Sequence, residues 1–265
     1  MADIINFPVE EKIHISASAV NKLHGCMRDY YYKYVAGIPR ESTPDAMLLG
    51  IALHRALSYF YLVLKQDKEE CSLEVLQEVV NGKIEDEELQ KEATRLLELF
   101  LKDGFKPDPE QIVAVEQKFE LPLHDPETGE LLSTVVGYWD LITRNKDESL
   151  TITDHKIVKR NNKAKAEAPD LQMALYSWAT KNNFGAEKVN LQYQDIIRNK
   201  TAKHDIKQIT RQDPQKEEAD ALTQLRSANN LISVLVAQDN VKELMFPNKS
   251  WRCKNCTYRE ICQSE

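Results

Sequence analysis

Three strand-like runs, residues 111–123, 131–144 and 149–158, follow one another with only DPETGE and NKDES between them. Both connectors have the Asp, Asn, Gly and Pro chemistry of tight turns, so the three runs form an antiparallel meander. A helix over 169–183, opened by Pro169, and a strand over 188–197 come next. A strand, a helix and a further strand in one sheet make a parallel, right-handed crossover. This order defines an α/β chain and excludes a bundle or an all-β sandwich. The stretch also carries an odd load of charge. TITDHK, 151–156, places Asp154, His155 and Lys156 directly after residues that suit a buried strand.

Hairpin arithmetic gives that charge a setting. A turn centred on Asp147 pairs residues whose numbers sum to 294, which sets Asp140 opposite Asp154 on one face. Directly opposed β-carbons lie roughly 4.5–5.5 Å apart. Two carboxylates that close repel unless a cation lies between them. A turn within DPETGE brings Glu116 level with residue 139 or 140. Glu116, Asp140, Asp154 and Lys156 therefore converge on neighbouring strands. Mg²⁺ takes one or two carboxylates plus waters and phosphate oxygens, which this cluster supplies. A lone D-x-K is ordinarily a surface ion pair; the opposed Asp140 is what argues for a metal.

The remainder of the chain reads as helices over 16–36, 46–65, 72–81, 85–102 and 214–239, with a short basic strand near 205–211. The 46–65 helix is strongly apolar and contains His54, which by itself would suit a core. Gln172 and Tyr176, four apart, share one helix face. Trp139 and Trp178 read as core. At 265 residues and a net charge of −7, the chain is large enough for a full core and does not advertise nucleic-acid binding. Its cations are segregated, however, into runs at 156–165, 198–211 and 249–259, which together suit phosphate. MADIINFPVEEK carries Asp3, Glu10 and Glu11 without a long apolar run, and stretches such as LISVLVA are too short to span a bilayer. A cytoplasmic protein with no membrane partner is expected.

Five cysteines are present. Cys253, Cys256 and Cys262 form C-x2-C-x5-C, Cys26 lies near the N-terminus, and Cys71 is isolated and read as inert. Three cysteines within ten residues read as metal ligands needing a fourth. By chemistry alone, four thiolates suit structural Zn²⁺ or a 4Fe-4S cluster equally.

GIALH at 50–54, VE at 115–116, GYWD at 137–140, DHK at 154–156 and QMALY at 172–176 stand in the order of the PD-(D/E)XK nucleases. The chain resembles the RecB-like branch of that superfamily from about residue 16 to 262. The resemblance implies a restriction-endonuclease-like core as one domain over 1–265, with a helical insertion at 66–106. It implies that His54, Asp140, Asp154 and the main-chain carbonyl of His155 bind Mg²⁺ or Mn²⁺, and that Lys156 is catalytic. Gln172 and Tyr176 match a supporting Q-x3-Y motif, and Glu116 joins the catalytic group. D-x-K stands where E-x-K is commoner, a shorter arm that shifts the metal or favours Mn²⁺. Cys26 with Cys253, Cys256 and Cys262 resembles the iron–sulfur members, including AddB-type nuclease domains and CRISPR-associated RecB-like exonucleases. That favours a 4Fe-4S clasp joining 16–36 to 240–265. The tyrosine-rich run at 30–34 beside it suits stacking on unpaired bases, with at least two tyrosines packed inward. The implied activity is a metal-dependent DNA exonuclease on single strands or duplex ends, leaving 5′-phosphates. The alternative is a non-catalytic iron–sulfur scaffold in a helicase–nuclease or integration assembly. With no G-x4-G-K-[ST] in the sequence, unwinding falls to a helicase or recombination partner.

Overall fold

The computed structural model describes residues 14–40, 43–66, 71–160, 168, 170–198, 203–209 and 213–264. Parts of the expected basic runs, at 161–167, 199–202 and 210–212, lie outside the described residues, as does Pro169. The chain divides into two compact units. One comprises Met1–Thr43, Glu120–Gly137 and Glu218–Glu265, and the other Pro44–Phe119 and Tyr138–Glu217. The fold class is the expected one, a mixed α/β restriction-endonuclease-like architecture.

The second unit begins with α3 (Asp45–Lys65), α4 (Leu73–Asn81) and α5 (Glu87–Asp103). Ser72 and Asp86 cap α4 and α5 by accepting hydrogen bonds from Val75 and Leu89, which satisfies donors the first turn leaves unpaired. Seven side chains of α3, from Leu49 to Tyr61, are buried. They pack with Leu76, Val80, Leu96, Leu97 and Phe100, and with Leu141 and Ile196 of the sheet. α3 has 21 residues, and an 18-residue stretch of it reaches a mean hydropathy of 1.6, long and apolar enough to cross a membrane by length and composition alone. That corrects the expectation that no apolar stretch has such a length.

The sheet of this unit is mixed, with β3, β4, β5 and β6 in that order. Strands β2 (Ile112–His124), β3 (Leu131–Arg144), β4 (Leu150–Val158), β5 (Val189–Ile197) and β6 (Lys203–Gln208) agree closely with the periodicity. The antiparallel β3–β4 register runs from Arg144 opposite Leu150 to Leu141 opposite Thr153. Each pair sums to 294, as the turn at Asp147 requires. Asp147 fixes that turn by accepting from the Ser149 amide and hydroxyl. β5 runs parallel to β4, and the crossover helix α6 (Leu171–Phe184) packs on β5. Asp170, rather than Pro169, caps α6 by accepting from Met173 at 3.0 Å.

The first unit holds α1 (Ala17–Gly25), α2 (Met27–Tyr30), a π-helical turn at Tyr31–Val35 and the two-residue β1 (His14–Ile15), which pairs in parallel with Thr134 and Val135 of β3. The expected single helix over 16–36 is thus broken at Cys26, whose backbone is extended. Two tyrosines of the run, Tyr30 and Tyr32, are buried. The C-terminal part of α7 (Pro214–Val236) belongs here too, with α8 (Val241–Leu244), a 3₁₀ turn at Trp251–Asn255 and α9 (Arg259–Ser264). Residues 28–38 meet residues 245–258 directly. Arg28 donates to the Met245 carbonyl at 3.0 Å, and the Tyr258 hydroxyl to that of Ile38 at 2.9 Å.

Gly104 ends α5 with no room for a side chain. A β-carbon there would stand 2.4 Å from the Phe100 carbonyl oxygen and 2.5 Å from its ring. Phe100 in turn packs edge-on against Tyr61. Gly104→Ala is therefore expected to lower stability by about 1–3 kcal/mol, read as a lower denaturant midpoint with an unchanged slope.

Candidate active site

The site lies where the β3–β4 ladder stops. Beyond the Leu141–Thr153 pair, the His155 amide donates to Asp140 Oδ2, at 2.7 Å. A carboxylate thus completes the strand pairing, and Asp140 is buried by it. His54, in the middle of α3, brings Nδ1 to 3.6 Å from the same oxygen. Glu116 arrives from β2. Among the described residues, His54, Glu116 and Asp140 are the group of three whose ligand atoms all lie within 4.8 Å of one another.

Glu116 reaches this point through an unusual backbone. Its φ is +45° within a 13-residue strand, a region that non-glycine residues rarely occupy and that costs of order 1–3 kcal/mol. Burial along β2 falls on Ile112 and Ala114 before Glu116 and on Phe119 and Leu123 after it. The buried parity changes from even to odd across that residue, as an inserted bulge residue does.

Asp154 and Lys156 share the other aspect of the site. Lys156 Nζ stands 2.6 Å from Asp154 Oδ2. Gln172 Nε2 donates to Asp154 Oδ1 at 3.3 Å and to the Tyr176 hydroxyl at 2.6 Å. The four-residue spacing on α6 thus joins the buried Tyr176 to Asp154 through one amide. Trp139, fully buried, donates to the Tyr176 carbonyl at 3.4 Å and packs on Phe119. Trp178 is only half-buried. His155 turns its ring to α3, where it stacks on Tyr61 at 5.4 Å with the planes 4° apart. Its main chain, however, stays in the site, its amide donating to Asp140.

The electrostatics fit a cation. Burial, then the Asp154 charge, raises the Asp140 pKa well above the carboxylate range, and burial raises that of Glu116. Burial lowers the His54 pKa, keeping its imidazole neutral and able to ligate. Burial would pull Lys156 down, but Asp154, Asp140 and Asp170 together push it above its ordinary value. It is an ammonium at neutral pH, a donor and not a base. A neutral imidazole beside a buried and a half-buried carboxylate could hold a divalent cation. Asp154 pairs with Lys156 and accepts from Gln172 beside that group.

Sequence reasoning did not single out Asp170. Its place three residues before Met173 was the available signal, a helix cap. Its charge also acts on Lys156 and Tyr193.

The cysteines occupy the first unit, apart from half-buried Cys71. Cys26 Sγ accepts from the Asn248 amide at 3.3 Å and Cys253 Sγ from the Ser250 amide at 3.4 Å. Burial raises the Cys256 thiol pKa, with Asp29 and Cys26 adding to it.

Residues 14–263 match the family model of the PD-(D/E)XK nuclease superfamily, and the chain belongs to that superfamily. No curated protein matches it. Among solved structures, it is similar to a candidate exonuclease from Eubacterium rectale, with 15% identity over 92% of this chain and 87% of that one and a TM-score of 0.56. Another, SSO0001, has 17% identity, 97% and 89% coverage and a TM-score of 0.44.

The raised acid pKa values carry a linkage. The folded protein holds protons on Asp140 and Glu116 that the unfolded chain releases near pH 4, so stability without a divalent ion falls as pH rises from about 4. Asp140→Asn keeps an acceptor for the His155 amide and removes the charge. In EDTA at pH 8 its melting temperature is expected to exceed that of the unaltered chain, with the gap closing towards pH 4. Equal melting temperatures at pH 8 would show that Asp140 carries no such penalty.

Proposed function

We propose that the chain is a metal-dependent deoxyribonuclease of the RecB-like branch. It acts as an exonuclease on single-stranded DNA or at DNA ends, in repair, recombination or processing. The observation that carries this reading is the convergence of His54, Glu116 and Asp140, with Asp154 and Lys156 on the adjoining strand. The exonuclease assignment draws on the motif order and on the description of the Eubacterium rectale protein.

His54, Asp140, Asp154 and the main-chain carbonyl of His155 would hold Mg²⁺ or Mn²⁺, with Glu116 close enough to join them. When bound, that ion supplies Lewis acidity at a phosphoryl oxygen and a more acidic water. In the reaction, a water oxygen bonds to phosphorus, the bond from phosphorus to the 3′ oxygen breaks, and that oxygen takes a proton. Lys156 donates hydrogen bonds that orient the water and offset charge gathering on the phosphoryl oxygens. Gln172 holds Asp154 and Tyr176 in place, so neither carboxylate rotamer nor helix position drifts during attack. The helicase or integration partner is the expected source of opened DNA.

Cys26, Cys253, Cys256 and Cys262 would ligate a 4Fe-4S cluster. Amide donors to Cys26 and Cys253 sulfurs stabilise thiolate charge.

Lys156→Ala is expected to bind end-labelled DNA in EDTA as the unaltered chain does, and to lose at least about a hundredfold in Mg²⁺- or Mn²⁺-dependent cleavage. Continued metal-dependent degradation by that variant contradicts the assignment. Binding without cleavage by the unaltered chain, under both metals and in the absence of air, identifies the scaffold instead. Protein purified without air should be brown, with iron and labile sulfide near four of each per chain. Zinc without iron overturns the cluster.

A further inference from the structure

Residues 244–259, LMFPNKSWRCKNCTYR, hold Lys249, Arg252, Lys254 and Arg259 and no acid. In a chain of net charge −7 this is a local charge of +4. All four cations are exposed. Two large aromatic side chains lie among them: Trp251, 76% exposed, and Phe246, 59% exposed. An indole left that bare has no stabilising reason within the fold, since burying it would be worth several kcal/mol. Trp139, by comparison, is fully buried.

The segment is tied to the end of α1. Asn248 donates its side-chain amide to the Gly25 carbonyl at 3.2 Å and its main-chain amide to Cys26 Sγ at 3.3 Å. Arg252 presses its guanidinium against Gly25, where a β-carbon would stand 2.1 Å from Nη1. Gly25 ends α1, so the guanidinium sits at the negative end of that helix. The same group lies 5.8 Å from the Trp251 ring centroid. One side of the indole is thus backed by a fixed cation while the ring stays open to solvent.

We propose that this segment is a binding surface for single-stranded nucleic acid, with Trp251 and Phe246 as base-stacking platforms and Lys249, Arg252 and Lys254 as phosphate contacts. Aromatics interleaved with cations are what unpaired strands require: a π-face for any base and charge along the backbone. Duplex DNA offers no free base faces, so the surface discriminates for single strands. The inference extends the nuclease reading and rests on it for the choice of DNA as ligand, but uses residues separate from the catalytic set.

The test is fluorescence anisotropy of the full chain with a labelled 20-mer of oligo(dT), and with a duplex of equal length, in EDTA at several salt concentrations. Trp251→Ala should weaken oligo(dT) binding about tenfold or more, leave duplex binding within about twofold, and keep the melting temperature, as the side chain is exposed. Trp251→Phe should recover most of the loss. Lys249→Ala and Lys254→Ala should each lower the salt slope by about 0.7. Gly25→Ala, which displaces Arg252, should weaken oligo(dT) binding without touching Trp251. Oligo(dT) affinity unchanged in Trp251→Ala overturns the proposal. So does Trp251-dependent binding to phosphatidylserine vesicles with unchanged DNA affinity, which assigns the surface to a membrane. If the unaltered chain cleaves DNA while Trp251→Ala binds normally, only this inference fails. If the unaltered chain neither binds nor cleaves DNA, the nuclease reading fails with it.

Discussion

The hydrogen bond from the His155 amide to the Asp140 carboxylate is the hinge of the second unit. Register places Asp140 next to Asp154, and where the ladder ends a side-chain oxygen accepts from the His155 amide. The cost is a charge buried beside another charge. Everything nearby responds to it. Lys156 leans on Asp154, Gln172 reaches Asp154 from α6, and His54 approaches from α3. Without a cation such a cluster favours protonation; with one, the same repulsion becomes affinity.

The bulge at Glu116 belongs to that economy. A positive φ in an otherwise regular strand persists only where its surroundings hold it. Here it turns a glutamate toward two other ligand atoms. In the first unit the comparable constraint is the seam between chain ends. Asn248 grips Gly25 and Cys26, Arg28 grips Met245, and Tyr258 grips Ile38. Those contacts bring Cys26 to the segment of the other three cysteines, 222 positions away from Asn248 along the chain.

Most elements were legible because their signals are local and strong. The Asp147 turn dictates a pairing sum, and the strand observes it. Alternation and helical spacing located α3, α4, α5 and α6 to within a few residues. The break at Cys26 and the π-helical turn of the tyrosine run were not legible, since both lie against residues more than 200 positions away, Asn248 at Cys26 and Tyr258 at Tyr32. The Glu116 backbone was hidden for a related reason: a bulge leaves no residue signature when the residue is not glycine. The motif order pointed to Asp140, Asp154, Lys156, Gln172 and Tyr176, and the Lys156–Asp154 ion pair is the plain reading of a D-x-K. Asp170 escaped notice because the helix was opened one residue earlier, at Pro169.

The claim on which the account stands is that one divalent cation sits where Asp140 terminates the ladder. Anomalous diffraction from a crystal of the full chain grown with Mn²⁺ tests it most directly. A single strong peak within about 2.0–2.3 Å of both a His54 ring nitrogen and an Asp140 oxygen, with Lys156 beside it, is the predicted result. A manganese peak that leaves His54 and Asp140 uncoordinated, or a site still bridged by the bare carboxylates at saturating Mn²⁺, contradicts it.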